Sequence, residues 1–463
     1  MFDACRWISN SQPTCVASKE VFQRQLVRGR MSPESRPSTT TRGFLGRCAA
    51  TIGGLAGCSA ASRDCPRPAG VDDSADWSHR HHDQGNSNAA PAAPNSLTER
   101  WTFRVDARLS RPLVANGTVY TVTTSSDPPS DIRLLGFDAE TGERQFEWTV
   151  AEGYDARISA AIDGRVYLVG EPAGASGRQR LYAVEGESVT WTYEAERVTA
   201  VAASGDVVYV SVLHDSVVAL DAADGRVCAR LHPTTWPGGR WLSDWTPVGR
   251  PAVGEETVFT PVARFDTDRE DAYFADRVVA FTPDGERRWE ATVPDVLFVN
   301  DIAAVSETVY VPMTASRARA TDPGTTALHA LTASSGTRRW TRRFESGSIS
   351  GIAAREDVVV VDSGDTHAFE RDSGDRRWLT GDFLGPPVVA GDRVFGRRTE
   401  GEFVDTVVAV DLATGETVAS HTFDYQVNRA PVFAGGRAIV RTLEYRDTDS
   451  GTEHVADRLH ALW

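Results

Sequence analysis

The chain has 463 residues, is 41% hydrophobic and carries a formal net charge of −15, enough apolar content for a large core. Lys19 is its one lysine, so 48 of the 49 basic residues are arginine. No basic stripe or basic domain appears, which argues against general nucleic-acid binding, and an acidic, lysine-poor composition suits a halophilic setting in which salt screens self-repulsion, with a GC-rich genome as the alternative source of the arginine bias.

Residues 1–30 have the pattern of neither a targeting segment nor a folded element, and Met31 is read as the true start. From Met31 the chain has a basic stretch, a modest apolar stretch and then small residues, the parts of an export signal peptide. Thr41-Arg42-Gly43-Phe44-Leu45 resembles the twin-arginine export motif with Thr in place of its first arginine. Leu55-Ala56-Gly57-Cys58 resembles a lipobox, which implies lipidation at Cys58 and an extracytoplasmic, lipid-anchored protein, the alternative being an ordinary cleaved signal. Residues 1–58 are therefore expected to be a leader. With Cys5, Cys15 and Cys48 lost with it, Cys58, Cys65 and Cys228 make no disulfide framework, and without a CxxC no structural zinc site is expected.

Residues 59–97, rich in Ser, Asp, Asn, Ala and Pro, are expected to be a flexible tether. Within it, His79, His81 and His82 lie beside Asp83, a composition open to metal binding or to plain solvation, and no metal is assigned. Trp77 is out of place in a disordered tether and is expected to dock on the folded domain.

From Leu97 to Trp463 one plan recurs. A short apolar strand, a tight turn and an alternating strand form an opening hairpin. Eight such hairpins occur, at 112–122, 160–169, 200–210, 251–262, 301–311, 351–361, 387–396 and 431–440. Turns such as Asn116-Gly117, Asp163-Gly164 and Gly435-Gly436 accept the positive φ that tight hairpins need. A second hairpin then folds around another glycine, as in LLGFDAETGERQFEW at 134–148, VVALDAADGRVCA at 217–229 and VVAVDLATGETVA at 407–419. Residues 98–463 divided among eight repeats give about 46 residues each, the scale of a propeller blade.

The expected fold is all-β: an eight-bladed β-propeller of four-stranded antiparallel blades over 98–463. The last repeat stops at LHALW (459–463), after its third strand. TERWTFRV (98–105) is a lone strand with Trp101 where other repeats carry Trp289, Trp340 or Trp378 in the fourth. The N-terminal strand is therefore expected to complete the last blade and close the ring.

The A-x-D-x-x-T-G-x-x-x-W pattern resembles the PQQ-like β-propeller repeat; its residues stand at Ala409, Asp411, Thr414 and Gly415, and at Gly336 with Trp340 and Gly374 with Trp378. Asp76-Trp77 through Asp83 and Asn86 is similar to the Trp-led segment preceding this propeller in secreted lipoproteins of the family. Ala229 and Ala419 depart from the aromatic position, and Phe146 precedes Trp148 by two residues. The family includes outer-membrane assembly propellers and quinoprotein dehydrogenases, so the resemblance implies either a non-catalytic binding scaffold or a PQQ- and calcium-dependent alcohol or sugar dehydrogenase. The scaffold is the reading adopted, with no cofactor and no catalytic residue. The adjacent Cys-Cys pair of many alcohol-oxidising relatives is missing, and Asn300-Asp301 is the one obvious pair for the enzymatic alternative.

In this fold the connections entering each opening hairpin gather at one mouth of the central channel. The connection 231–250 carries Trp236, Arg240, Trp241, Asp244 and Trp245 and is read either as an aromatic platform for a protein or carbohydrate ligand or as a self-packed lid. Arg111, Arg157, Arg250 and Arg429, with Asn300 and Asp301, precede inner strands and are expected to rim that mouth, where arginines suit an anion. Gly347-Ser348-Ile349-Ser350-Gly351 has a hydrolase-elbow spacing but joins two strands, so it is set aside.

Overall fold

The computed structural model describes residues 66–69, 76–125, 130–175, 177–233, 245–254, 256–265, 273–293, 298–299, 301–314, 326–345, 348–381, 384–401, 403–448 and 451–463. The chain divides into two units, Met1–Ser62 and Arg63–Trp463. The leader, Cys58 included, lies outside the described residues, as do Trp236, Arg240, Trp241, Asp244 and Asn300, while only the backbone of Trp245 is described.

The second unit is all-β, and no helix among its described residues is long and apolar enough to cross a membrane. Its strands form antiparallel sheets of the repeating kind, for example Val198–Ser204, Val207–Val212, Val217–Asp221 and Val227–Leu231 in sequence order. The expected one-sheet-per-repeat division differs at one place. Arg144–Ile162 is one strand of 19 residues, so it ends the first repeat and opens the second, and the two share a seven-stranded sheet. Other sheets gain a fifth short strand, as where Trp245–Pro247 and Ala252–Val253 both pair with Val258–Phe265.

The strand Glu99–Val105 pairs antiparallel with Gly451–Leu462, from Glu99 opposite Leu462 to Val105 opposite Asp457. The first long strand among the described residues thus adds to the sheet of the last.

Apolar residues of neighbouring sheets bury one another. Tyr310 and Leu328 share a cluster with Ile352 and Val359, and Val360 and Ala368 share the next with Val394 and Val408. The glycine and tryptophan of the repeat motif meet across these seams. The ring of Trp340 lies so close to Gly374 that a Cβ there would sit 2.6 Å from Cδ2. Its indole N–H donates to the carbonyl of Arg371 at 2.7 Å. The same clasp joins Trp191 to Gly225, Trp289 to Gly336 and Trp378 to Gly415. Trp101 makes it with Gly142. These glycines lie at positive φ, so one residue type satisfies both the turn and the ring above it. The motif aspartate builds the turn: Asp411 Oδ1 accepts the amide N–H groups of Ala413 and Thr414 at 2.9 and 2.8 Å.

Candidate functional site: the channel segment and its arginines

The stretch expected to be a flexible tether is packed from Asp76 onward. Trp77 has no exposed surface, and Ser78, His79, His82, Asp83, Gln84, Asn86, Ser87 and Asn88 are buried. So much polar side chain is buried because the segment bonds to the innermost strands in turn. The carbonyls of Trp77 and Ser78 accept from the amides of Val114 and Ala161 at 2.9 and 2.8 Å. His79 Nε2 lies 2.8 Å from the Ala203 carbonyl. The carbonyls of Gln84, Gly85, Ser87 and Asn88 then accept from Val253, Ala304, Ala354 and Val389 at 2.7–3.0 Å. Trp77 meets the last hairpin through Phe433, with ring centroids 6.2 Å apart. The segment therefore touches each of the eight opening hairpins.

Its sequence explains the winding path. Asn86 and Asn88 take positive φ, which asparagine tolerates better than branched residues. Their side chains also staple neighbouring strands: Asn86 Nδ2 donates to the carbonyls of Pro251 and Ile302, and Asn88 Nδ2 to that of Ile352. The histidines are consumed by the fold. Burial, then the charge of Arg250, pushes the His79 pKa down to about 4. His82 lies edge-on to Trp77 and 3.3 Å from Asp83, whose carboxylate also accepts from the Ser87 hydroxyl at 2.5 Å. No group of three or more metal-ligating side chains occurs among the described residues.

One hydrogen bond between side chains ties the segment to the arginines. His81 Nε2 lies 2.7 Å from Asp301 Oδ2, while Asp301 Oδ1 accepts the amide of Arg250, also at 2.7 Å. His81 Nδ1 is 3.1 Å from Asn88 Oδ1, so both ring nitrogens face acceptors. Burial alone would raise the Asp301 carboxyl, but the His81 bond and the charges of His81, Arg80 and Arg250 outweigh it and hold it far below the usual range.

The arginines expected at the mouth come together, and a fifth joins them. Arg111 donates to the carbonyl of Arg80 at 2.9 Å and lies over the Trp77 ring, 5.6 Å from its centroid. Arg250 donates to the Val201 carbonyl and Arg157 to that of Val198. Burial, then the charges of Arg429, Arg80 and Arg250, pushes the Arg111 pKa down to about 9. Arg157 falls to about 10 through burial and then Arg80. Arg250 also falls to about 10, through burial and the charges of Arg80 and Arg157 against Asp301. All three stay charged at neutral pH, so the lowering expresses mutual repulsion in a poorly solvated place. Arg429 lines a small crevice with Arg111, Asn428 and Arg441. Arg80 escaped sequence reasoning because it belongs to the supposed tether; its neighbour Trp77 was the available signal.

Repeated antiparallel sheets, seamed by Trp–Gly clasps around one inner segment, define a propeller of PQQ-like repeats. The family model described as outer membrane protein assembly factor BamB matches residues 93–175 and 147–380. The chain belongs to that family. Among solved structures it is similar to BamB from Moraxella catarrhalis, at 15% identity and TM-score 0.51 over 79% of this chain and 100% of that one. A europium-containing methanol dehydrogenase matches at 13% and 0.56, over 85% of this chain and 98% of the other. The quinohemoprotein alcohol dehydrogenase ADHIIG from Pseudomonas putida HK5 matches at 14% and 0.56, over 86% and 83%. At such identities the likeness is one of fold. No curated protein matches the sequence.

Proposed function

We propose that this chain is a non-catalytic binding or assembly scaffold held outside the cytoplasm by a lipid on Cys58. Its body is an eight-bladed ring closed by Glu99–Val105, and its partner meets the mouth that carries 231–250 and the arginines. The observation that carries the reading is the commitment of Asp301. In the enzymatic alternative, Asn300-Asp301 would have to hold calcium beside PQQ. Both Asp301 oxygens are instead engaged, by His81 and by the Arg250 amide, and the nearby side chains are cationic. A divalent cation would have to displace those bonds and sit against Arg80 and Arg250, so the residues do not fit a calcium-dependent quinone site. The family's likeness to BamB, described as an assembly factor, agrees with a protein partner.

Capture of partners from native membranes, alongside dye-linked alcohol oxidation after adding PQQ and Ca²⁺, tests the choice. A specific partner with no oxidation supports the scaffold; PQQ-dependent turnover overturns it. The combined change Trp236→Ala, Trp241→Ala and Trp245→Ala locates the face. Weakened capture at an unchanged Tm supports an aromatic platform, whereas unchanged capture with a fall in Tm makes those rings a lid. Cys58→Ser should release the protein from the membrane or block its maturation, and retention at the same mature mass would remove the anchor from the reading.

A further inference from the structure

Many other arginines among the described residues are matched by carboxylates. Arg180 pairs with Glu194, Arg288 with Glu256, Arg339 with Asp372 and Arg377 with Asp357 and Glu370. In an acidic protein such matching is easily met. The arginines around the inner segment differ in being grouped without such a match: among the described residues, none of Arg80, Arg111, Arg157 or Arg250 has a carboxylate within ion-pair distance of its guanidinium. Three of them spend donors on backbone carbonyls, which carry no net charge to offset theirs. Arg250 is only 4% exposed, and the Nε atoms of Arg111 and Arg250 are buried without a partner. The one carboxylate in reach, Asp301, is bound to His81 and to a backbone amide. Arg80 joins the group through its carbonyl, which accepts from Arg111, and its charge acts on Arg111, Arg157, Arg250 and Asp301.

These four arginines with one carboxylate among them form an arrangement that opposes folding unless something offsets it. A bound anion offsets it, and guanidinium donors hold clustered oxygens well. We propose that Arg80, Arg111, Arg157 and Arg250 form a site for a multivalent oxyanion, inorganic (sulfate or phosphate) or an organic polycarboxylate, at the mouth of the channel. A monovalent halide would leave most of the charge unmet. The site rests on the reading of this mouth as a binding face, and names the chemistry it accepts.

The test is thermal unfolding and calorimetric titration of the full chain with sulfate, phosphate and citrate at constant ionic strength, with sodium chloride as the control. The expected result is a saturable rise in Tm and measurable binding for at least one of the three. The ranking of citrate against the inorganic ions identifies the source. Arg80→Gln should weaken binding tenfold or more while leaving the Tm without ligand equal to or above that of the unaltered chain, because it removes a repelling charge. Arg157→Gln supplies the same test should the first variant fold poorly. A rise that never saturates and is equal in the variants is general salt exclusion and overturns the site. So does a saturable response in which chloride equals sulfate. Partner capture reads the face independently: capture without anion binding removes this site and keeps the scaffold, and anion binding with PQQ-dependent turnover does the reverse.

Discussion

His81 and Asp301, 220 positions apart in sequence, meet at 2.7 Å and join the inner segment to the start of the fifth opening hairpin. The bond gives a carboxylate to a neighbourhood that otherwise holds cations. Asp301→Asn keeps the shape and deletes the charge. With Asp301 partly exposed, the expected loss is about 1–3 kcal/mol of stability, below the range for breaking a fully buried pair. Chemical denaturation of the two proteins checks it, and an unchanged midpoint would mean that solvent already screens the pair.

The repeat was legible because its residues have local jobs. Asp411 builds its own turn, Gly415 takes positive φ there, and Trp378 covers that glycine from the neighbouring sheet. Each leaves a mark at fixed spacing. The inner segment leaves no such mark: Asn86 and Asn88 bond to backbone carbonyls of Pro251, Ile302 and Ile352, and a carbonyl has no sequence signature. Hence a stretch with the composition of a tether is packed chain. The arginine group was legible in part, since Arg111, Arg157 and Arg250 hold comparable places in successive repeats. Arg80 does not belong to the repeat, and its position depends on the path of the segment.

The clasp predicts a difference between two glycines. Gly117 and Gly374 both have positive φ, at 74° and 68°. A Cβ on Gly117 meets nothing within 4 Å, whereas one on Gly374 would lie 2.6 Å from the Trp340 ring. Gly117→Ala should cost only backbone strain, about 1 kcal/mol. Gly374→Ala adds displacement of the indole and its bond to Arg371, so about 3 kcal/mol or more is expected. Equal midpoints in urea would show that the ring moves aside freely.

Stability should fall in mild acid because of His79. Its ordinary pKa is 6.5, and the folded environment lowers it to about 4. Between those values the unfolded chain takes up a proton that the folded chain refuses. The stabilising contribution is therefore complete above pH 6.5 and lost as pH falls to about 4, at up to about 1.4 kcal/mol per pH unit. His329, also lowered to about 4, acts in the same direction. Tm measured from pH 7.5 to 4 should slope downward, and His79→Gln should reduce that slope. A flat profile in the unaltered chain would contradict a neutral buried His79.

Glu99–Val105 pairs with Gly451–Leu462 and so belongs to the sheet of the last repeat. Deletion of 98–106 would expose the edge of Gly451–Leu462 and remove the clasp of Trp101 on Gly142. Trp101→Ala isolates the second effect, at about 3 kcal/mol. The deletion should cost more than the point change. If both lower Tm equally, the strand contributes little beyond its tryptophan.

The inner segment should matter to the fold out of proportion to its length. Without it, the amides of Val114, Ala161, Val253, Ala304, Ala354 and Val389 lose their acceptors, and Phe433 and Arg111 lose the Trp77 ring. Water entering the channel would satisfy the amides but not replace the buried indole. Trp77→Ala alone should cost about 3–5 kcal/mol, the range for a fully buried aromatic. A chain beginning at residue 93 keeps every long strand and should still fold, with Tm lower by about 10 °C or more. A peptide spanning 74–94, added in trans, should recover part of that loss in a saturable way, because its bonding partners lie along preformed strands. Recovery should vanish when the peptide carries Ala in place of Trp77. A shortened chain with unaltered Tm would reduce the segment to a passive lining of the channel.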